Sequence, residues 1–354
     1  MRRSPDCGHR IADISMTIRA FLLLSALLAI LVPVSVLQAD EHESIESAVD
    51  MRPGEAVREL LHRMAGAMRG LDYRGTFIYR RAEHIDTLQV FHLGSAEDER
   101  ERLVTLAGTA REIVRSGEDV QCILPDRRKV LVGHQHRRKP FPTALTDNVA
   151  ALYPLYRFES DGEERIAGRD TQIVAVQPRD AYRYGHRLWI DVESGLLLRS
   201  DVLNESGEAV EQVMFTNVAL NTRIREQDLT PSVDISGFVT VPDPDDDRDT
   251  ASNLPLPQLP PGYQLINRKQ RVVGADAVSV EHLIFSDGLS TVSVFIDPAP
   301  KRDDLLQGES SHGAANAYGL YQNGTHITVV GEAPEAAIHL IATAFTQTAK
   351  VSAQ

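Results

Sequence analysis

Hydrophobic and polar positions along this chain change period, and the change lays out its organisation. Between Pro53 and Leu71 the apolar residues Val57, Leu60, Leu61, Met64, Met68 and Leu71 recur at helical spacing in an otherwise charged segment. That is one apolar stripe of an amphipathic helix, with Pro53 in the first turn, where a missing N–H costs nothing. From Tyr73 the period drops to two. Segments 73–81, 86–93, 101–107, 111–117, 119–125 and 128–133 are short, alternating and separated by turn residues. They predict an antiparallel meander curling into a partial barrel. Residues 134–146 break the pattern. Thr146-Asp147-Asn148 then caps a short helix that Pro154 interrupts. Strands resume over 171–177, and 182–219 reads as three long antiparallel strands turning at Glu193-Ser194-Gly195 and Asn204-Glu205-Ser206-Gly207. These strands carry apolar positions on both faces, so one face can pack on a core while the other lines a cavity. Trp189, Leu197 and Phe215 are candidates for either role.

Composition shifts over 231–262. Pro231, Pro242, Pro244, Pro255, Pro257, Pro260 and Pro261 interleave with Asp243, Asp245, Asp246, Asp247 and Asp249. This predicts a stiffened acidic linker over 231–258 between a first domain at 48–230 and a second at 259–354. The D-x-D-x-D start is not a calcium loop. Arg248 stands where the sharp-turn glycine belongs, and Leu254 where the bidentate acid belongs. Beyond the linker, strands are expected over 263–270, 277–285, 291–296, 313–322 and 325–332, with 301–308 irregular. A closing helix over 334–349 puts Ala337, Ile341, Ala344 and Phe345 on one face. The simplest architecture is α+β, the second domain being a small antiparallel sheet with a helix on one face.

The N-terminus bears on the compartment. Arg19 precedes the apolar run Ala20–Val36, and Leu37-Gln38-Ala39 leads into Asp40-Glu41-His42-Glu43. A charged start, an apolar core and a small residue describe a secretory signal peptide over 1–39, cut between Ala39 and Asp40, with Met16 a better start than Met1. Pro33 and the small-residue exit argue against a retained membrane anchor, and no Cys follows the run for lipid attachment. Cys7 would leave with the signal peptide. Cys122, which alternates with Val120 and Leu124, is then a small buried hydrophobe with no internal disulfide.

The net charge of −13 argues against nucleic acid as a partner, since a binder of phosphates needs a basic field. No G-x-S-x-G, H-E-x-x-H, P-loop or paired-cysteine motif is present, so neither an enzyme nor a cofactor is expected. His134-Gln135-His136 lacks a third metal ligand. One charge feature stands out in this acidic chain. Arg127-Arg128-Lys129 is followed by a second basic run, Arg137-Arg138-Lys139, close to Phe141. It suits either a solvated loop or the capture of an anionic group, such as lipid headgroup phosphates or an acidic peptide. Met64 and Met68 can pack in a core or line an apolar cavity, since Met adapts to varied shapes. The candidate set for an amphiphile is therefore Met64, Met68, Phe77 and Trp189 with Arg127, Arg128, Arg137, Arg138 and Lys139.

Several blocks carry a resemblance. YRGTFIY (73–79), RLWIDVESGLLLRSD (187–201), EQVMFTNVAL (211–220), LPPGY (259–263), FSDGL (285–289) and VVGEAP (329–334) resemble the MucB/RseB family in order and spacing over nearly the whole mature chain. The resemblance implies a first domain like the lipoprotein carriers LolA and LolB, an unclosed antiparallel β-barrel covered by helices. It implies a periplasmic negative regulator of the envelope-stress sigma factor. Its partner would be the periplasmic segment of an RseA/MucA-type anti-sigma factor, shielded from site-1 protease and released when lipopolysaccharide or mislocalised lipoprotein binds. The family has no catalytic residues to carry over, and a homo-oligomer stays open. The alternative is a LolA-like lipid or lipoprotein carrier, although a carrier barrel needs neither the linker nor the second domain.

Overall fold

The computed structural model describes residues 53–94, 99–134, 149–242, 255–273, 278–298, 305–322 and 324–351. The expected signal peptide with its Ala39–Asp40 junction, the cap at 146–148 and the acidic run 243–254 lie outside them. The amphipathic stripe forms α1 (Pro53–Gly70), with Glu55 in its first turn and Arg69 in its last, each complementing the helix dipole. Then come β1 (Tyr73–Arg81), β2 (His84–Leu93), β3 (Arg100–Thr105), β4 (Glu112–Ser116), β5 (Asp119–Leu124) and β6 (Lys129–His134). A short helix α2 (Val149–Leu152) leads into β7 (Tyr156–Ile166), β8 (Arg169–Pro178), β9 (Gly185–Asp191), β10 (Leu197–Leu203) and β11 (Ala209–Leu220). With β12 (Val239–Pro242) these form one sheet in the order β12-β6-β5-β4-β3-β2-β1-β11-β10-β9-β8-β7. Its pairs are antiparallel except β12–β6, which is parallel, and β12 and β7 form its two edges.

Two of these strands were not expected. β7 has buried ends at Tyr156 and Ile166 but a mostly exposed middle, so no apolar alternation marks it. As an edge strand it carries Asp161, Glu163, Glu164 and Arg165 and an irregularity between Ser160 and Glu163, devices that discourage further strand addition. β12 falls inside the stretch expected as linker. Its β-branched Val239, Thr240 and Val241 pair with Lys129, Val130 and Leu131. The segment before β12 is tied to the sheet as well. Arg102 Nε donates to Glu112 at 2.8 Å, Ser232 donates to the same carboxylate from its backbone N–H and its hydroxyl, and Arg100 pairs with Glu226 at 2.8 Å.

The second sheet comprises β13 (Gln264–Val273), β14 (Val278–Ser286), β15 (Thr291–Asp297), β16 (Gly308–His312), β17 (Ala315–Gln322) and β18 (Thr325–Gly331), in the antiparallel order β13-β14-β15-β18-β17-β16. Helix α3 (Glu335–Val351) buries Ala337, Ile338, Ile341, Ala342 and Phe345 against Leu283, Phe285, Val292, Val294, Ile327 and Val329. The architecture is thus α+β, as expected. The polar β16 was missed, because Glu309-Ser310-Ser311 offers no apolar period.

Helix α1 packs Val57, Leu60, Leu61 and Met64 against Val174, Val176, Leu188, Ile190 and Leu197. Its seat is set by the turn between β9 and β10. Gly195 lies at φ +79°, and a Cβ there would sit 3.1 Å from the Arg63 carbonyl oxygen. Arg63 donates in return to the Val192 carbonyl at 2.8 Å. Gly75 on β1 answers a different need, since a Cβ there would lie 2.6 Å from the Asn217 carbonyl oxygen and 2.8 Å from the Phe215 ring. Gly75→Ala is therefore expected to cost about 1–3 kcal/mol through overpacking. A urea unfolding midpoint unchanged from wild type would contradict this account of the β1–β11 contact.

Candidate functional site

Two features of the fold bear on function: an apolar ladder across the large sheet, and the junction between the two sheets. The ladder follows from strand register. Phe77 pairs with Leu88, Val90 with Leu103, Leu103 with Ile113, Ile113 with Cys122, and Cys122 with Leu131. Cross-strand partners share a face, as do Leu88 and Val90 two residues apart. These side chains therefore form one apolar row over six strands. Leu88, Val90 and Cys122 are buried, while Phe77, Leu103, Ile113 and Leu131 are only half-buried, and Cys122, expected to have no internal disulfide, is disulfide-bonded. The opposite face there carries the Arg102–Glu112 pair and the segment bonded to it. At the β1 end, Phe215 lies 5.7 Å from Phe77 and 6.2 Å from Tyr73, ring centre to ring centre.

The structure separates the candidates proposed from sequence. Met64 is fully buried in the α1 core. Met68, one turn on, packs against both that core and the cluster around Tyr73 and Phe215. Phe77 stands on the ladder. Trp189 does not face the same way as its neighbours Leu188 and Ile190, which meet α1. Its Nε1 donates to Glu164 at 2.6 Å and the Arg199 guanidinium stacks 4.0 Å over its ring. Arg127 and Arg128 are exposed in the β5–β6 turn, and Arg128 lies 5.3 Å over the Phe238 ring. Register through Ile123, Glu112, Val104, Gln89 and Thr76 puts that turn level with Phe77 in the middle of β1, roughly 20 Å away at ~4.8 Å per strand. Arg137, Arg138 and Lys139 lie outside the described residues.

The junction centres on Arg183, just before β9, whose side chain has no exposed surface. Its Nη1 donates to Asp287 at 2.8 Å, in the turn between β14 and β15 of the second sheet. Nε and Nη2 hold the two oxygens of Asp180 at 2.9 and 3.0 Å, and Nη2 also reaches the Pro261 carbonyl at 2.6 Å. The rings of Tyr156 and Tyr263 flank the guanidinium at 5.6 and 5.7 Å. Tyr156 adds a hydrogen bond to Asp287 at 3.1 Å. Burial works against the charge on Arg183, but Asp180 and Asp287 outweigh it and hold the pKa above the ordinary arginine value. Apolar residues cross the same boundary. Leu289 of the second sheet joins the α1 core, and Tyr182 packs on the α3 core. A second contact runs from Glu211 of β11, paired with Arg81 at 2.8 Å, to the backbone N–H of Ala314 at 3.3 Å.

Motif search did not single out Arg183, Asp180, Asp287 or Tyr263 because each is an ordinary residue in an ordinary loop. The signal was present in another form. LPPGY contains Pro261 and Tyr263, and FSDGL contains Asp287. Two of the blocks that carried the resemblance are thus the second sheet's half of the junction.

Comparison with known proteins follows the same division. The model of the MucB/RseB N-terminal domain matches residues 56–233, and that of the MucB/RseB C-terminal domain matches 248–346. The sigma factor AlgU regulatory protein MucB of Pseudomonas aeruginosa is 32% identical over 278 residues, covering 77% of this chain and 85% of that protein. The sigma-E factor regulatory protein RseB of Escherichia coli K12 is 27% identical over 281 residues, covering 78% and 86%. The complex structure of Pseudomonas aeruginosa MucA/MucB aligns with a TM-score of 0.64 at 27% identity, over 81% of this chain and 97% of that one.

Two outcomes follow from the junction. Arg183→Ala leaves Asp287 buried without its cation and should destabilise by about 3–5 kcal/mol, while Arg183→Leu with Asp287→Asn should recover part of that loss. Equal losses in both proteins, by urea unfolding, would show that the pair does not act as a unit. The second outcome concerns acid. His186 lies beside Tyr156 with ring centres 6.4 Å apart, and burial holds its pKa down at about 4 although Asp287 pulls the other way. Between the ordinary histidine value near 6.5 and about 4, the unfolded chain binds a proton that the folded chain does not, so stability falls as pH falls through that window. His186→Phe should flatten this slope, and an unaltered slope would assign it to other groups.

Proposed function

The chain belongs to the MucB/RseB family, and from that premise we propose that it acts as a two-part clamp whose grip on a peptide answers to an amphiphile. It is a periplasmic regulator without catalytic machinery, and its partner is the periplasmic segment of a MucA/RseA-type anti-sigma factor. The observation that carries this reading is that both family domains fall on the chain in order, with the Arg183–Asp287 junction between them.

In this reading the first domain, 48–230, is a LolA-like unclosed β-barrel whose sheet also takes up β12 from the expected linker stretch, and the chain then passes to the second domain at 259–354. The half-buried ladder from Phe77 to Leu131, with Met68 at its head, takes the acyl chains of lipopolysaccharide or mislocalised lipoprotein. Such contact is worth roughly 0.8 kcal/mol per buried CH₂. Arg127 and Arg128, together with Arg137, Arg138 and Lys139 further along the chain, take the phosphates. Met64 stays with the α1 core, and Trp189 belongs to the cluster that also holds Val90, Phe77 and Leu103 of the ladder. The anti-sigma segment binds while the junction is closed and is then shielded from site-1 protease. Amphiphile favours an arrangement that cannot hold the segment, so each ligand weakens the other by the same factor.

A protease-protection assay on the anti-sigma segment tests this. The wild-type chain should protect it, lipopolysaccharide should reverse the protection, and Ile113→Asp should keep protection but blunt the reversal by placing a charge on the ladder. Protection that lipopolysaccharide leaves intact would contradict the amphiphile reading. No protection, with lipid passed to an acceptor instead, would favour a carrier.

A further inference from the structure

His92 of β2 is 1% exposed and stands on the ladder face, two residues beyond Val90. Its ring lies on that of Tyr73, 4.6 Å centre to centre. Nδ1 is 2.8 Å from the Leu71 carbonyl, where the chain leaves α1, and Nε2 is 3.1 Å from Glu99, just before β3. A backbone carbonyl can only accept, and so can an ionised carboxylate. Burial opposes the charge on Glu99, but the bonds from His92 and Arg115 outweigh it and hold the carboxyl down at about 2. Both ring nitrogens must therefore donate, and only the imidazolium has two N–H groups. The geometry thus requires a positive charge on His92.

The surroundings fit that charge. Cross-strand pairing puts Tyr73, His92, Glu101 and Arg115 in one row beside the apolar ladder. Arg115 bonds Glu99 and lies 4.0 Å from Glu101. From the α1 side come the Leu71 carbonyl and Asp72, which accepts from the Gly94 N–H at 2.9 Å. Burial, then Glu101 and Glu99, push the Tyr73 hydroxyl well above its ordinary value, so it stays neutral. Glu99 and Glu101 balance Arg115 and a charged His92, whereas a neutral His92 leaves one carboxylate in excess. Burial works against the imidazolium, but Glu99, Glu101 and the Leu71 carbonyl outweigh it and hold the pKa above the ordinary histidine value. The stability this group adds is full below about 6.5 and is lost as pH rises through the raised folded value.

What His92 holds is the end of α1. Met68 and Leu71 pack there in the cluster that also contains Tyr73, Val90, Phe77 and Leu103, so this end covers the head of the ladder. A neutral ring keeps one N–H and must give up either Leu71 or Glu99. We propose that charged His92 is a pH-sensitive clasp that fastens the end of α1 over the ladder, and that rising pH loosens it. Its effect on an amphiphile rests on the ladder being the site, as read above.

Two measurements on the full mature chain test this. The sequence holds 12 histidines, so His92 is identified in a nitrogen-15 NMR titration by its absence from His92→Gln. At about pH 6 its ring should carry both protons, and it should lose one with a midpoint above the ordinary value near 6.5, which Glu99→Gln should bring down. A neutral ring at about pH 6, or a midpoint that Glu99→Gln leaves in place, would overturn the clasp. The second measurement is binding of the uncharged apolar dye N-phenyl-1-naphthylamine. Wild-type affinity should rise roughly tenfold between about pH 6 and pH 9, the size of one hydrogen bond to a charged group, while His92→Gln binds at both values as the wild type does at the higher one. Dye bound equally by the wild-type chain at both values would overturn the clasp and leave the ladder in place. Absence of dye binding at either value would overturn the ladder reading, and the covering role of the clasp with it.

Discussion

A charge that cannot reach water sets the relation between the two sheets. Removing a guanidinium and a carboxylate from solvent costs several kcal/mol per ion, and attraction offsets that only when geometry and hydrogen bonds are complete. Arg183 meets the condition with donors to Asp287, Asp180 and the Pro261 carbonyl, and with a tyrosine on either side. These partners come from both sheets, so one arrangement of the halves satisfies the whole set. A different arrangement would strand an ion or admit water. That asymmetry makes the junction specific without making it strong. Opening it fully rehydrates both ions together, which costs far less than deleting one of them.

Around this centre the apolar contacts play a supporting part. Leu289 reaches the α1 core, Tyr182 reaches the α3 core, and Glu211 with Arg81 anchors the hairpin turn at Ala314. Burial pushes the Glu211 carboxyl above its ordinary value even though Arg81 pulls it down, while Arg81, the Tyr79 hydroxyl and the Ala314 N–H all donate to it. A mixed junction of this sort can be biased by modest ligand energies. The large sheet offers a suitable lever. Its edge strands are the charged β7 and the short β12, and its apolar ladder is half-buried between them.

What could be seen in the sequence follows from periodicity. The α1 stripe, the strands of the 182–219 meander and the α3 face were legible because burial on one side imposes a period that side chains report. β7 and β16 were not, because edge strands are selected for charge and polarity and so carry no apolar period. β12 was hidden by the prolines and aspartates that follow it, although Val239-Thr240-Val241 is a strand-like triplet. Trp189 was visible as an apolar residue but not by face, since β9 is buried on both sides. Arg183 and Asp287 were illegible for a deeper reason. A buried polar residue looks in sequence like any solvated one, and only its partner, 104 positions away, reveals its role. The resemblance pointed to the block that holds Asp287 without saying what it does.

The most direct test of this account is the distribution of distances between spin labels on the two halves, one at Glu118 in the β4–β5 turn and one at Leu340 on the exposed side of α3, read by pulsed dipolar spectroscopy. The account predicts a single narrow distance with the anti-sigma segment bound. It predicts that the distance shifts or broadens when lipopolysaccharide is added, and that Arg183→Ala reproduces the change without ligand. One unaltered distribution across all three conditions would contradict a junction that couples the two ligands.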